Sequence, residues 1–171
     1  GGAMLVDQLS IRGVDLAGLS PASTIFFKDQ QIPCGSGKLV DVTLAGAQYD
    51  IMKKAITQLI NDPETGIVVV AIGSSAQFNP ELAVKPIIDA VEENPAAAPV
   101  IAFPLPIAKQ SMVMLEANGI PCFGSVESCA DSVALLLAAE SSRLDDQIDD
   151  GIDLKNVQQQ LDAVMKAAAI G

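Results

Sequence analysis

The chain has 171 residues, of which half are hydrophobic, and it carries one Tyr, five Phe, no Trp and a formal net charge of −11. This length suits one substantial domain with a short appendage, and a core of Val, Ile, Leu and Ala suits helices packed on a β-sheet. So acidic a chain, with only 10 scattered basic residues, argues against a nucleic-acid-binding surface, which requires clustered Lys and Arg.

The residues available for chemistry are limited. The sequence contains no histidine, so histidine of this chain is excluded as acid, base, nucleophile or phosphoryl carrier. Cys34, Cys122 and Cys129 do not follow a metal-ligand spacing, which argues against a metal site. The cysteine usage, the lack of a secretory leader pattern and the lack of an apolar run of about 18 residues predict a cytoplasmic protein without a membrane span.

The start of the chain alternates helical and extended patterns. Apolar residues at helical spacing predict a helix over residues 4–11 that Gly13 ends. Residues 14–19 are predicted to form a short strand. Ser20 as N-cap and Pro21 at the first helical position then begin the second helix.

The following elements are predicted, in chain order: an extended segment at 38–43, a helix at 48–61, a strand at 66–73, a helix from 79 onward, a strand at 99–103, a helix at 109–118, a strand at 120–123 and a helix at 125–142. Pro86 is expected either to kink its helix or to mark the true start of that helix, since an interior proline costs about 3 kcal/mol. Crowded aspartates predict a solvated acidic linker at 143–153, and residues 154–171 are predicted to form a last amphipathic helix.

The strand at 66–73 is the predicted centre of the fold. Its unbroken, β-branched apolar run is typical of a parallel-sheet strand that is buried on both faces. It opens into Gly73-Ser74-Ser75, small residues that let a backbone approach a ligand. Ligands of open α/β sheets lie beyond the carboxyl ends of the strands, so this loop is a candidate site.

The alternation of strands and helices predicts an α/β fold with right-handed crossovers: a three-layer, doubly wound, mostly parallel sheet of flavodoxin-like size. Such a domain begins with a strand, whereas this chain opens on a helix after Gly1-Gly2, so the first strand is predicted to be absent from the chain. Two explanations stay open. The chain begins inside a larger protein, or Gly1-Gly2-Ala3-Met4 is a cloning scar.

The order and spacing of several segments, rather than one specific motif, resemble the NDP-forming acyl-CoA synthetases over about residues 1–138. Gly1-Gly2-Ala3-Met4 with Asp7 is similar to the Gly-rich start of one domain of that family, a start also found in the β subunit of succinyl-CoA synthetase. Val40-Asp41-Val42-Thr43, Asn61-Asp62-Pro63 and Asn118-Gly119-Ile120-Pro121 resemble later segments. Lys38-Leu39 departs from the family's usual Asn-Pro.

The resemblance implies that residues 1–142 are a flavodoxin-like ligase-CoA domain of an acid–thiol ligase that links acyl-CoA cleavage to NTP formation. It implies two partners in the same or another chain, a CoA-binding domain that carries a phosphorylated histidine and an ATP-grasp domain, and hence a homo- or hetero-oligomer. CoA and ADP or ATP with Mg are then expected in those partners, and no cofactor in this chain alone.

The module would help to hold the phosphohistidine at the N-terminus of its first helix, where free N–H groups and the helix dipole favour an anion. The predicted phosphate-binding residues are Gly1, Gly2, Ala3, Gly73, Ser74 and Ser75, with Asp41 and Thr43 in support; no residue is predicted to be catalytic and none to bind metal.

Other interpretations of these residues remain. The loop at 73–75 is also consistent with a plain strand-to-helix connection, and Asp41 and Thr43 with local turn capping. The alternative function is a stand-alone flavodoxin-like binding or regulatory module without catalysis. Flavin is disfavoured as its ligand because aromatic rings are scarce, Tyr49 being the one Tyr.

Overall fold

The computed structural model describes residues 1–32, 34, 39–42 and 48–151, with residues 144–151 described by their backbone alone. In this part the elements are α1 (Gly2–Ile11), α2 (Pro21–Asp29), α3 (Tyr49–Ile60), β1 (Val68–Ile72), α4 (Ser75–Phe78), α5 (Pro80–Glu92), β2 (Val100–Pro104), α6 (Lys109–Ala117) and α7 (Val126–Gly151). The protein is therefore an α/β protein, consistent with the predicted flavodoxin-like class.

The two strands form a parallel pair, in register from Val68 opposite Val100 to Ile72 opposite Pro104. Helices α4 and α5 connect them, as a parallel crossover requires. The strand predicted at 120–123 is reduced to one bridge between Ala102 and Cys122. The three-layer arrangement and the missing first strand stay predictions.

The core lies on one face of this sheet. Alternate side chains of both strands, including Val68, Ile72 and Ala102, join a single buried cluster with residues of α3, α5 and α6. Its helical members include Ile56, Ile60, Val84, Ile87, Ile88 and Leu115. On the opposite face of β2, Ile101 and Phe103 are buried as well.

The prediction that the central strand is buried on both faces is wrong. The strand is shorter than predicted, Val69 and Val70 are half-buried, and Ala71 is exposed. Ala71 and Val69 point away from the face that packs on α3 and α5, because successive side chains of a strand alternate. An apolar run shows that a strand can be buried on both faces. Whether both faces are in fact buried depends on which other elements of the fold cover them.

The predicted strand at residues 14–19 is also wrong. These residues are described, and they form no strand. Val14, Leu16 and Leu19 are half-buried, and Leu19 packs against the small cluster around Phe27 and Ile32. A strand exists only beside a neighbour that completes its ladder, and no described strand lies there.

Most helix ends agree with the local signals. Ser20 Oγ accepts a hydrogen bond of 3.2 Å from the Ser23 amide, with Pro21 at the first helical position, so the predicted N-cap is confirmed. Helix α5 begins at Pro80 and continues through the buried Pro86, which therefore does not mark its start.

Helix α7 is longer than predicted. It continues to Gly151, so residues 143–151 are helical instead of forming an irregular acidic linker. The stretch contains no glycine or proline before Gly151, so nothing local ends the helix there.

The chain divides into two compact units, Gly1–Ala134 and Leu135–Gly171, each of which makes most of its contacts within itself. The predicted last helix at 154–171 lies outside the described residues.

Helix α1 ends in a Schellman motif. The Gly13 amide donates to the Ser10 carbonyl and the Val14 amide to the Leu9 carbonyl, both at 3.1 Å, with Gly13 at φ +71°. Helix α2 ends with the same pair of bonds, but there Gln31 occupies the left-handed position at φ 55°. Glycine adopts this conformation without the steric cost that a Cβ brings.

We therefore expect Gly13→Ala to lower the free energy of unfolding by about 1 kcal/mol and Gln31→Gly to raise it by up to about 1 kcal/mol. Gly18→Ala is the matched control, because its Cβ would meet no atom within 4 Å and its φ lies outside the left-handed range. Urea unfolding of the three variants measures the effects. Equal values for Gly13→Ala and Gly18→Ala would contradict the role of the left-handed backbone.

Candidate functional site

The carboxyl ends of β1 and β2 form one edge of the sheet, here called the carboxyl edge. Strand β1 ends at Ile72 and runs into Gly73-Ser74-Ser75, and β2 ends at Pro104. The Leu105 amide donates to the Ile72 carbonyl at 2.8 Å, so the segments that follow the two strands begin side by side. This is the location at which open α/β sheets place ligands.

The first residues of the chain lie at the same edge. A Cβ on Gly1 would stand 3.8 Å from the Cβ atoms of Ala71 and Leu105, which is ordinary van der Waals contact. Gly1 is the N-cap of α1, and its carbonyl accepts from the Leu5 amide at 3.1 Å. The start of α1 is thus placed beside the end of β1 and the residue that follows β2.

The N-terminus of α1 offers unused hydrogen-bond donors. Because the first intrahelical bond is made by Leu5, the amides of Gly2, Ala3 and Met4 have no acceptor within the helix. No side chain caps this end, and no acidic residue lies in its first turn. Ala3 is exposed and Gly2 half-buried. These donors and the helix dipole suit an anion.

The loop at Gly73-Ser74-Ser75 is exposed and open. A Cβ on Gly73 would meet no atom within 4 Å, so an atom from outside the chain has room to approach this backbone. Ser74 has helical dihedral angles, and its side chain makes no capping bond to α4. The loop therefore presents an exposed serine hydroxyl that makes no capping bond and an uncovered backbone, while the helix that follows it is only one turn long.

Two side chains that the sequence did not single out hold this loop in place. The Ser111 hydroxyl, which is fully buried, donates to the Ala76 carbonyl at 2.7 Å. Gln77 Nε2 donates to the Ile107 carbonyl at 2.9 Å. A serine on the buried face of α6 is a local hint of such a role, but its partner 35 residues away is visible only in the structure.

Of the two residues predicted to support the phosphate site, Asp41 and Thr43, only Asp41 lies in the described part of the chain. Asp41 is exposed, in the described segment 39–42, and Thr43 lies outside the described residues. The segment does reach the start of α1, because a Cβ on Gly2 would stand only 3.2 Å from Leu39 Cδ1. The placement of Leu39 brings this part of the chain near the carboxyl edge, while the supporting roles of Asp41 and Thr43 stay predictions.

The chain segments that form β1, β2, their following loops and the start of α1 lack carboxylates in a protein that is otherwise rich in them. Residues 1–6, 65–80 and 94–115, which contain the α1 start and both loops, include no Asp or Glu and one basic residue, Lys109. In a chain with a formal net charge of −11, this local lack of negative charge lowers the electrostatic cost of placing an anion beside these segments.

The described residues also bear on metal binding, membrane crossing and cysteine chemistry. Within them, no group of three or more His, Cys, Asp or Glu could hold a metal ion, and no helix is long and apolar enough to cross a membrane. Burial raises the pKa of Cys122 and of the fully buried Cys129 to about 11, so both thiols stay protonated at neutral pH. This agrees with the prediction that they are core residues.

A second concave surface, of about 510 Å³, lies between Tyr49 and the exposed side chains of Phe78 and Leu82. At its rim the Tyr49 hydroxyl donates to Asp89, which also receives Lys85 Nζ at 3.3 Å. The hydrogen bond to Asp89 raises the pKa of Tyr49, and the same bond lowers the pKa of Asp89. The hydrogen bond from the Tyr49 hydroxyl to the Asp89 carboxylate links α3 to α5, and none of the predicted site residues takes part in it.

Comparison with known proteins identifies solved structures that share the fold of this chain. No protein-family model matches the chain, and no curated protein sequence matches it. Among solved structures, PH0766 from Pyrococcus horikoshii OT3 matches 78% of the chain with a TM-score of 0.69 and 22% identity. Acetyl-coenzyme A synthetase 1 of Ca. Korarchaeum cryptofilum, described as dinucleotide forming, matches 83% with a TM-score of 0.66 and 19% identity.

The same synthetase in complex with phosphate and ADP matches 83% of the chain, with a TM-score of 0.67 and 20% identity. The chain spans about a third of the length of these proteins, 32% of the first and 31% of the synthetase. The resemblance inferred from the order of segments is thus confirmed at the level of the fold: residues of this chain fold like one part of a much longer synthetase.

Proposed function

We propose that this chain is the ligase-CoA module of an NDP-forming acyl-CoA synthetase, which converts acyl-CoA, NDP and phosphate to carboxylic acid, CoA and NTP. The observation that carries the proposal is the shared fold with one third of a dinucleotide-forming acetyl-coenzyme A synthetase. The lack of histidine agrees with a module that does not itself carry the phosphoryl group.

The role proposed for the module is to receive a phosphohistidine from a neighbouring domain at the carboxyl edge. The unused amides of Gly2 and Ala3 would donate to the phosphoryl oxygens, and the loop at 73–75 would form the second wall. A helix N-terminus supplies about half a positive charge, and residues 1–6 and 65–80, which contain the α1 start and the loop, carry no carboxylate to oppose it. Binding and positioning of this kind needs no acid, base or nucleophile in the chain.

The rest of the enzyme belongs to the proposal too. A CoA-binding domain with the histidine and an ATP-grasp domain, in the same or another chain, would bind CoA and ADP or ATP with Mg. The assembly would be a homo- or hetero-oligomer in the cytoplasm. The module would have the three-layer, doubly wound order that the alternation of its elements predicts.

Reconstitution tests this function. The chain is combined with the histidine-bearing and ATP-grasp parts of a synthetase, and transfer of labelled phosphoryl from NTP to histidine and on to the carboxylate of the acid substrate is followed. We expect transfer to require the chain and to fall to background without it. Transfer that proceeds equally well without the chain would contradict the proposal.

A further inference from the structure

Helix α1 is held against the rest of the protein by a narrow row of apolar side chains. Two of its residues are buried, Leu5 and Leu9, and they lie one turn apart on the same face of the helix. Apolar contact is not directional. Two leucines in one row therefore keep the helix close to its neighbours, but they restrain its tilt and its rotation only weakly.

Arg12 adds a directional contact at the C-terminal end of this row. It follows Leu9 by three positions, so it lies on the same face of the helix. Its Nε donates to Oδ1 of Asp131 at 2.5 Å, and Asp131 lies in the part of α7 that belongs to the first compact unit. The Arg12 side chain is 20% exposed, so solvent screens this ion pair less than it screens a fully exposed one.

Both members of the ion pair are fixed by their surroundings. Arg12 Nη1 donates to the Gln8 carbonyl at 3.0 Å and to Gln8 Oε1 at 2.6 Å. Because the guanidinium is a rigid planar fork, these bonds also set the direction of its Nε–H. On α7, Asp131 stands between the buried residues Cys129 and Val133, so core packing fixes this turn of the helix. The last turn of α1 is thus tied to α7 in one orientation.

The other end of α1 carries the amides of the proposed phosphoryl site. Arg12 follows Gly2 by ten positions, which corresponds to about 15 Å along a helix. A tilt of about 4° at the Arg12 end would move the Gly2 amide by about 1 Å over this length. A misplacement of about 1 Å can slow a reaction about a hundredfold. The orientation that Arg12 sets therefore matters at the carboxyl edge.

We propose that Arg12 and Asp131 are positioning residues for the phosphoryl site: their ion pair fixes the tilt of α1 and so directs the amides of Gly2 and Ala3 across the carboxyl edge. Neither side chain touches the phosphoryl group. The role rests on the proposed function, and it adds two residues that lie at the far end of the helix from the site.

Asp131 is the better residue to change, because its side chain is 60% exposed and its loss disturbs the fold little. Asp131→Ala removes the partner of Arg12, whereas Asp131→Glu keeps a carboxylate within reach of the guanidinium. Glu127→Ala is the matched control, because it removes an exposed carboxylate four positions earlier on the same helix. The Tm of each variant is measured alongside.

The first measurement is histidine phosphorylation in the reconstituted synthetase. We expect Asp131→Ala to lower the rate at a saturating amount of the histidine-bearing part by about fivefold, since a partly exposed ion pair shifts a population of orientations by up to about this factor. The KM for that part is expected to stay the same. Asp131→Glu is expected to restore the rate, and Glu127→Ala to leave it unchanged. General destabilisation would not divide the variants in this way.

The second measurement is the orientation of α1 in the chain by itself, from residual dipolar couplings of its amides relative to those of β1 and β2. We expect the orientation to change in Asp131→Ala and to return in Asp131→Glu. An unchanged orientation, or an unchanged rate, in Asp131→Ala would overturn the positioning role and leave the proposed function standing. An original chain that supports no phosphoryl transfer would contradict the proposed function, and the positioning role would fall with it.

Discussion

Asp62→Ala is expected to lower the free energy of unfolding by about 3 kcal/mol, because Asp62 is a buried carboxylate at the centre of a polar network. Asp62 is 5% exposed. It accepts hydrogen bonds from the Ser20 hydroxyl at 2.6 Å, from the Ser23 hydroxyl, and from the Glu64 amide at 2.9 Å. The network joins the start of α2 to the end of α3, and truncation leaves buried donors without an acceptor.

Chemical denaturation of the variant measures this effect. Asp62→Asn retains the shape and one acceptor oxygen, so we expect it to lose less, about 1–2 kcal/mol. Asp29→Ala removes an exposed carboxylate and is expected to stay within about 0.5 kcal/mol of the original chain. A loss at Asp62 no larger than that at Asp29 would show that the network contributes nothing to stability.

The same residue makes stability depend on pH. Burial alone would raise the pKa of Asp62, but the hydrogen bonds from Ser20, Ser23 and the Glu64 amide outweigh it and lower the pKa below the ordinary value. A carboxyl whose pKa is lower in the folded state stabilises the fold above the pKa of the unfolded state, and this contribution is lost as the pH falls through the folded pKa. The stability difference between the original chain and Asp62→Asn is therefore expected to be constant at neutral pH and to shrink below about pH 4.

Ser74→Asp is expected to slow phosphoryl transfer in the reconstituted synthetase by about tenfold or more. A carboxylate several ångströms from a phosphoryl group, at an effective dielectric constant of about 20, costs about 2 kcal/mol. Ser74 lies in the exposed loop of the carboxyl edge and its side chain makes no capping bond, so the fold is expected to be unaffected. The rate of histidine phosphorylation from NTP is the measurement.

Two variants control for effects other than charge at this position. Ser74→Asn is nearly isosteric with the aspartate variant but neutral, and we expect close to the original rate. Thr24→Asp adds the same charge on the exposed side of α2. Equal rates for Ser74→Asp and the original chain would place the phosphoryl group elsewhere and contradict the proposed site, while leaving the assignment of the module to a synthetase open to the reconstitution experiment.

The start of α2 shows which contacts can be predicted from neighbouring residues and which cannot. Ser20 and Pro21 predict this helix start because an N-cap is a contact between residues three apart, and the structure confirms it. Ser20 also donates a hydrogen bond to Asp62, which lies 42 residues away, and no pattern in the neighbouring sequence predicts that contact. Asp62 with Pro63 is recognisable only as the end of a helix.

The candidate site shows the same division. The sequence identifies the small-residue loop at 73–75 and the Gly-rich start of α1, and parallel topology predicts that they meet at one edge. The contacts of Gly1 with Ala71 and Leu105, and the support of Ala76 by Ser111, depend on packing between distant segments.

The sequence by itself determined the helix caps, the parallel α/β class, the absence of any histidine chemistry and the resemblance of the order of segments to one synthetase domain. These properties follow from residue identity or from contacts within a few residues. Only the tertiary structure decided that residues 14–19 form no strand, that Ala71 is exposed and that Asp62 is the centre of a buried network. The physical reason is that a strand or a buried carboxylate is satisfied by partners far away in the chain, and these partners exist only once the chain has folded.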